Sequence, residues 1–302
     1  MSIQFQKAVR QQIKGRFALD GPTGAGKTYT SLILASALTG AASPHKVPEG
    51  KIAFLDTERG SAKLYADLFN FDVVELDYFD PLNYVEVINA AEGAGYEVLI
   101  IDSLSHAWDD EGGALDQVDQ AAAQLKGNSY AAWRKVTPKH RKLVHRIMRA
   151  DMHVIATMRS KMEYDMQKDG QGRTTIKKVG LAPVQRAGIE YEFTFVIDMD
   201  TDHNAIVSKS RAADLADLVR NKPDTDWFAK FYTWLVEGEK PPRTKEELIQ
   251  YGAGFELSPQ EIAEALKESN VQFAGDEETW AMMTNVLAEY AENKNGKGEM
   301  VS

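Results

Sequence analysis

No cysteine occurs anywhere in the 302 residues. That absence excludes a disulfide framework, a cysteine-based zinc site, an iron–sulfur cluster and a thiol nucleophile. Long hydrophobic runs are missing as well. The longest apolar-leaning stretch, SLILASALTGAA from Ser31 to Ala42, falls well short of the ~20 residues that a membrane-spanning helix needs. The first residues, MSIQFQKAVRQQIKGR, are polar and basic and lack the apolar core of an export signal. A cytoplasmic protein with no membrane partner is expected. The six histidines show no metal-ligand spacing, and His140 and His145, within one basic helix, are expected at the surface. There are no internal repeats. Disorder as the main state is also excluded, because 43% hydrophobic and 26% charged residues are ordinary globular values.

Positive charge is in deficit overall, with 35 Lys+Arg against 45 Asp+Glu and a net charge of −10. Taken alone, that argues against a nucleic-acid partner. The charges are unevenly placed, however. Residues 221–302 carry a net −8, and residues 1–220 a net −2. Between Lys126 and Arg186 there are 15 basic residues and only four acidic ones, a net +11. A stretch of that density can neutralise phosphates. The plainer reading is a solvated helix face and a charged loop.

Short apolar runs alternate with amphipathic segments over the first two thirds. RFALD (Arg16 to Asp20), KIAFLDTE (Lys51 to Glu58), DVVELDY (Asp72 to Tyr78), EVLIIDS (Glu97 to Ser103) and HVIATM (His153 to Met158) read as strands. Helices are expected over Lys27–Leu38, from after Glu58 to about Phe69, and over Leu82–Glu92, Leu115–Lys126 and Tyr130–Arg149. Strands spaced by helices imply an α/β fold with a mainly parallel sheet. KMEYDMQ and RTTIKKV then flank a hairpin-like turn, and EFTFVIDMD and NAIVSKS give two late strands. An aromatic helix, Trp227 to Val236, precedes a linker at Glu239–Pro242. Ser258-Pro259-Gln260-Glu261 is a capping box opening a helix over Ile262–Lys267. A last helix is expected over Glu277–Glu292, with fraying from Asn293 onward. The reading is a core of residues 1–238 and an acidic helical segment of residues 239–302.

Chemistry enters at Gly21-Pro22-Thr23-Gly24-Ala25-Gly26-Lys27-Thr28, which fits G-x-x-x-x-G-K-[ST] between an expected strand and an expected helix. Glycines let backbone N–H groups wrap phosphates, and the helix N-terminus adds partial positive charge. Lys27 is expected on the β/γ-phosphates and the Thr28 hydroxyl on Mg²⁺. The nucleotide-contacting run continues through Tyr29. In VLIID, four apolar residues end in Asp102, placed to bind the Mg²⁺ through water. Ser103 follows it where many ATPases carry a glutamate, so the base must come from elsewhere. Glu58, ending KIAFLDTE, is the candidate. The alternative for Glu58 is an acidic residue favoured at a helix start.

GPTGAGKT, FLDTE and LIIDS in this order resemble the RecA-type recombinase core, over about Arg16 to Arg211. The small size and late basic hairpin are similar to phage RecA-like single-strand annealing ATPases, AAA-family ATP-binding phage proteins. The resemblance implies a RecA-like P-loop fold, ATP and Mg²⁺ as cofactors, Glu58 as catalytic base and Asp102 in the magnesium site. It also implies a homo-oligomeric ring or filament in which a basic residue reaches the neighbour's ATP. Lys209 and Arg211, alternating on the last core strand, are candidates for that role. The second DNA-binding loop maps to Met158–Ala187, with Arg159, Lys161, Arg173, Lys177, Lys178 and Arg186 on single-stranded DNA and Tyr164 either stacking a base or packing. One departure stands out: Ala156-Thr157-Met158-Arg159 lacks the polar amide such proteins use to sense the γ-phosphate, leaving Thr157 or Arg159 in its place. The function implied is a DNA-stimulated ATP hydrolase of recombination or strand annealing, in the host cytoplasm if phage-encoded, with a single-strand DNA-binding protein as a further partner. The alternatives are a helicase or ring translocase on the same core, and a nucleotide-switched protein-assembly factor.

Overall fold

The computed structural model describes residues 7–168, 174–239, 245–253, 257–268 and 277–298. The chain divides into two compact units: Ile13–Glu237, and Met1–Gln12 together with Gly238–Ser302.

In the larger unit, strands and helices succeed one another as β1 (Arg16–Gly21), α1 (Lys27–Leu38), β2 (Ile52–Asp56), β3 (Asp72–Glu75), α2 (Pro81–Gly93), β4 (Val98–Asp102), α3 (His106–Asp109), α4 (Ala114–Gln124), α5 (Ser129–Arg149), β5 (His153–Lys168), β6 (Thr174–Pro183), β7 (Phe195–Met199), β8 (Asn204–Ser210), β9 (Val219–Asn221) and α6 (Thr225–Val236). The sheet order is β3-β2-β4-β5-β1-β7-β8-β9, with β6 attached to β5. The strands from β3 to β7 along this order are parallel, whereas β8, β9 and β6 pair antiparallel. The fold is α/β with a mostly parallel sheet, helices on both faces and a late antiparallel hairpin.

Period-2 alternation assigns each strand residue to a face. Phe17, Leu19, Phe54, Ile155 and Phe195 point to the side covered by α1 and α6, where they meet Leu32, Leu38, Phe228 and Phe231. Ala18, Ala53, Val154 and Ala156 point the other way, to Tyr84 and Ile88 of α2 and Leu143 and Ile147 of α5. Bulky aromatics thus fill one side and small alanines floor the other. On the aromatic side Phe17 and Phe195 stack at 4.9 Å, and α6 brings Trp227, Phe228 and Phe231 down as one cluster. Asp224 caps α6 by accepting from the Trp227 amide at 2.8 Å. Under the start of β1 the buried Arg16 guanidinium donates to the carbonyls of Met152 at 2.8 Å, Met148 at 3.3 Å and Ala150, closing the end of α5. Burial lowers its pKa to about 10.

Several expectations need correction. The segment after Glu58 forms only a 3₁₀ turn, Ser61–Tyr65, and not a helix to Phe69. Arg59 and Gly60 are both left-handed, at φ 56° and 83°, and Asp56 accepts from the amides of Glu58 at 2.6 Å and Ala62 at 2.9 Å. That carboxylate holds the turn by accepting from both amides. His140 is buried, bonded through Nε2 to Gln185 Oε1 at 2.8 Å and edge-on to Trp108, whereas His145 is exposed. Strand β9 was not expected.

In the smaller unit the described helices are α7 (Lys245–Ala253), α8 (Pro259–Glu268) and α9 (Glu277–Gly298). They bury Leu248, Ile262, Ala265, Met283 and Leu287 together. The capping box forms as expected. The Ser258 amide donates to Glu261 Oε2 at 2.8 Å, and the Glu261 amide donates to Ser258 Oγ at 3.3 Å. Helix α7 was not expected, and α9 continues past Asn293 to Gly298, where fraying was expected. Most of the Glu239–Pro242 linker lies outside the described residues. Among the described residues no helix is long and apolar enough to cross a membrane.

Candidate active site

Strand β1 is fully buried and ends at Gly21, beside the Met199 carbonyl at the end of β7. A Cβ at Gly21 would lie 2.4 Å from that oxygen, so only glycine fits. The chain then turns through Gly24 and into Gly26, which precedes α1 in the left-handed region at φ 88°. His203, in the β7–β8 turn, lies against this loop with its Nδ1 3.2 Å from the Ala25 carbonyl oxygen. Nothing in the sequence pointed to that contact, because it comes from a turn 178 residues away.

Lys27 extends back over the loop and donates to the carbonyls of Gly21 at 2.8 Å and Pro22 at 2.9 Å. Burial lowers its pKa, opposed by the charges of Asp102, Glu58 and Asp20. Thr28 Oγ1 donates to Asp102 Oδ2 at 2.6 Å. The other oxygen, Oδ1, accepts from the Thr157 hydroxyl on β5. Asp102 is almost fully buried, and desolvation raises its pKa against the lowering effect of both hydroxyls. Tyr29 is half exposed in the first turn of α1, against Tyr65 and Phe69.

Glu58 lies two residues beyond β2, in the loop pinned by Asp56. Its Oε1 accepts from Arg159 at 2.9 Å. The loop is tied to β4 as well: the Thr57 amide donates to the Asp102 carbonyl at 2.8 Å, and the Ser103 amide to Thr57 Oγ1 at 2.8 Å. Thr57 Oγ1 also lies 2.6 Å from Nδ1 of the buried His106. Burial beside Arg159 lowers the pKa of His106. Three neighbouring strand ends thereby converge on one edge, which also carries the glycine-rich loop. The sequence carries no spacing signature for Asp56, Thr57 or His106, because each acts through backbone or loop contacts.

Other candidates fall elsewhere. Arg159, expected on DNA, faces Glu58. Lys209, expected to reach a neighbouring subunit, donates to its own chain's carbonyls at Glu190 (2.9 Å), Tyr191 (2.7 Å) and Phe193 (2.8 Å). Three acceptors saturate an ammonium, which turns Lys209 inward, whereas Arg211 is exposed. Lys161 and Arg186 are exposed at the base of the β5–β6 hairpin. Lys177 and Lys178 pair by backbone with Asp165 and Tyr164 on that hairpin. Arg173 lies outside the described residues, and so do the side chains of Tyr164, Lys177 and Lys178.

A glycine-rich loop joining a buried strand to a helix, with a lysine over it and a hydroxyl–carboxylate pair beside it, defines the P-loop class of nucleotide-binding domains. The family model described as "AAA domain" matches residues 13–231, and the chain belongs to that family of nucleotide-binding ATPase domains. No curated protein matches the chain.

Proposed function

We propose that the protein is a Mg²⁺-dependent ATP hydrolase of RecA type that binds single-stranded DNA in recombination or strand annealing and acts as a homo-oligomer. The observation that carries this reading is the convergence of Lys27, Thr28, Asp102, Glu58 and Arg159 on one sheet edge, with the β5–β6 hairpin continuing directly from it. The Thr28 hydroxyl and Asp102 carboxylate are hard oxygen donors 2.6 Å apart, a set that fits Mg²⁺. A Mg²⁺ held there would supply positive charge against the phosphates of a bound nucleotide. Amides of the loop from Gly21 to Gly26 hold the phosphate chain, and Lys27 exchanges its two carbonyl acceptors for phosphate oxygens. Glu58 orients the attacking water and takes its proton, while the Arg159 guanidinium, 2.9 Å away, holds the carboxylate in place. Arg211 is a cation available to a neighbour's nucleotide, and Lys161, Arg186, Lys177, Lys178 and Arg173 are candidates for DNA.

ATP hydrolysis with and without single-stranded DNA tests the reading. Glu58→Gln is expected to lower kcat by ~10²–10⁴-fold with nucleotide binding retained. Normal hydrolysis by that variant would remove Glu58 from the mechanism. No binding of single strands at low salt would leave a nucleotide-switched assembly factor, and unwinding of a forked duplex would select a motor.

A further inference from the structure

Helix α5 holds seven Lys and Arg residues and no Asp or Glu. Two of the seven have a structural task. Lys139 donates to Asp80 at 2.9 Å and Gln117 at 2.8 Å, and Arg146 donates to Glu92 and Asn89, both at 2.6 Å. These bonds fasten α5 to its neighbouring helices. The other five, Arg134, Lys135, Arg141, Lys142 and Arg149, are exposed and have no ion pair among the described residues. Like charges at positions 135 and 139, and at 142 and 146, repel at i,i+4 spacing, so the helix holds this charge at a cost to its own stability. The spacing of positions 130, 134, 135, 141, 142, 145 and 149 puts them along one outward face. Its first member is Tyr130, an aromatic ring 76% exposed. From Tyr130 to Arg149 the face is about 28 Å long, and toward Arg149 it borders a groove lined also by Asn89 of α2.

We infer that this outer face of α5 is a track for a single-stranded nucleic acid, separate from the β5–β6 hairpin. Arg134, Lys135, Arg141, Lys142 and Arg149 neutralise successive phosphates, and Tyr130 stacks a base. An unpaired row of cations fits a polyanion by charge. An exposed ring at its end favours a strand whose bases are unstacked over a duplex, whose bases are not. The inference rests on the proposed single-strand function and adds a second contact surface to it.

The test is fluorescence anisotropy of a labelled oligothymidylate across a salt titration, with the full chain. Variants are the triple Arg141→Gln, Lys142→Gln, Arg149→Gln; Tyr130→Ala; and a hairpin control, Lys177→Gln with Lys178→Gln. The triple variant is expected to bind at least ~10-fold more weakly at low salt, with the slope of log K against log salt reduced by about 2. Tyr130→Ala is expected to weaken binding ~5-fold or more at unchanged slope. ATP hydrolysis without DNA stays at the wild-type level in both, showing an intact fold. Wild-type affinity and slope in the triple variant, with loss only in the hairpin control, would overturn the track and leave the proposed function standing. Failure of the wild-type protein to bind the oligonucleotide would overturn both. Equal affinity for a duplex with Tyr130→Ala silent, or for phosphatidylglycerol vesicles, would overturn the single-strand assignment.

Discussion

Two carboxylates lie at or next to the ends of buried strands on either side of β5, and their surroundings are opposite in kind. Asp102, on β4, accepts from two hydroxyls, Thr28 and Thr157, with Lys27 nearby. Asp20, on β1, stands in register with Asp198 of β7 and lines a cavity that also holds Glu190 and Asp200. Both are at least nine-tenths buried, and burial raises both pKa values. At Asp20 the neighbouring Asp198 adds to the rise, up to about 8, with Ser160 and Lys27 opposing it. Burial alone therefore does not mark a working carboxylate. The partners differ: Asp102 faces two hydroxyl donors and Lys27, whereas Asp20 faces a second acid, Asp198, which adds to the burial penalty on its charge.

Exchanging each acid for its amide separates the two roles. Asp102→Asn keeps the shape and removes the charge, and hydrolysis is expected to fall ~10²-fold or more in a steady-state phosphate-release assay. Activity near wild type would remove Asp102 from the chemistry. Thr157→Val leaves one buried Asp102 oxygen without its donor and is expected to cost ~1–3 kcal/mol of stability, read from urea unfolding. Asp20→Asn is expected to leave hydrolysis nearly unchanged and to act through pH. A carboxyl that holds its proton to about 8 when folded, against about 4 when unfolded, makes the fold less stable as pH rises between those values. The wild-type melting temperature should therefore fall more steeply across that range than that of Asp20→Asn. Parallel curves would dissolve the distinction between the two carboxylates.

The glycine-rich loop and Asp102 were legible because their signals are contiguous: a fixed spacing in one case and an apolar run ending in an acid in the other. The late strands and the Ser258 capping box were legible for the same reason. Arg159 and Lys209 show where that kind of reading stops. Chain position put Arg159 after a strand in a basic segment, but its choice of Glu58 over solvent depends on a loop shaped 101 residues earlier. Alternation put Lys209 on a strand face, but not the carbonyls of Glu190, Tyr191 and Phe193 within its reach. The missing helix after Glu58 has a similar cause. Its residues suit a helix locally, and two left-handed positions with one capping acid redirect the chain.

Strand β5 has a mechanical consequence. Its 16 residues span about 50 Å, and only the first part is gripped on both sides. Pairing with β4 covers His153 to Ala156, pairing with β1 ends at Arg159, and from Ser160 onward the only strand partner among the described residues is β6. It is a cantilever, clamped in the sheet at one end. A load on the free end produces its greatest bending moment at the rim of the clamp, and the residue at that rim is Arg159, whose guanidinium holds Glu58.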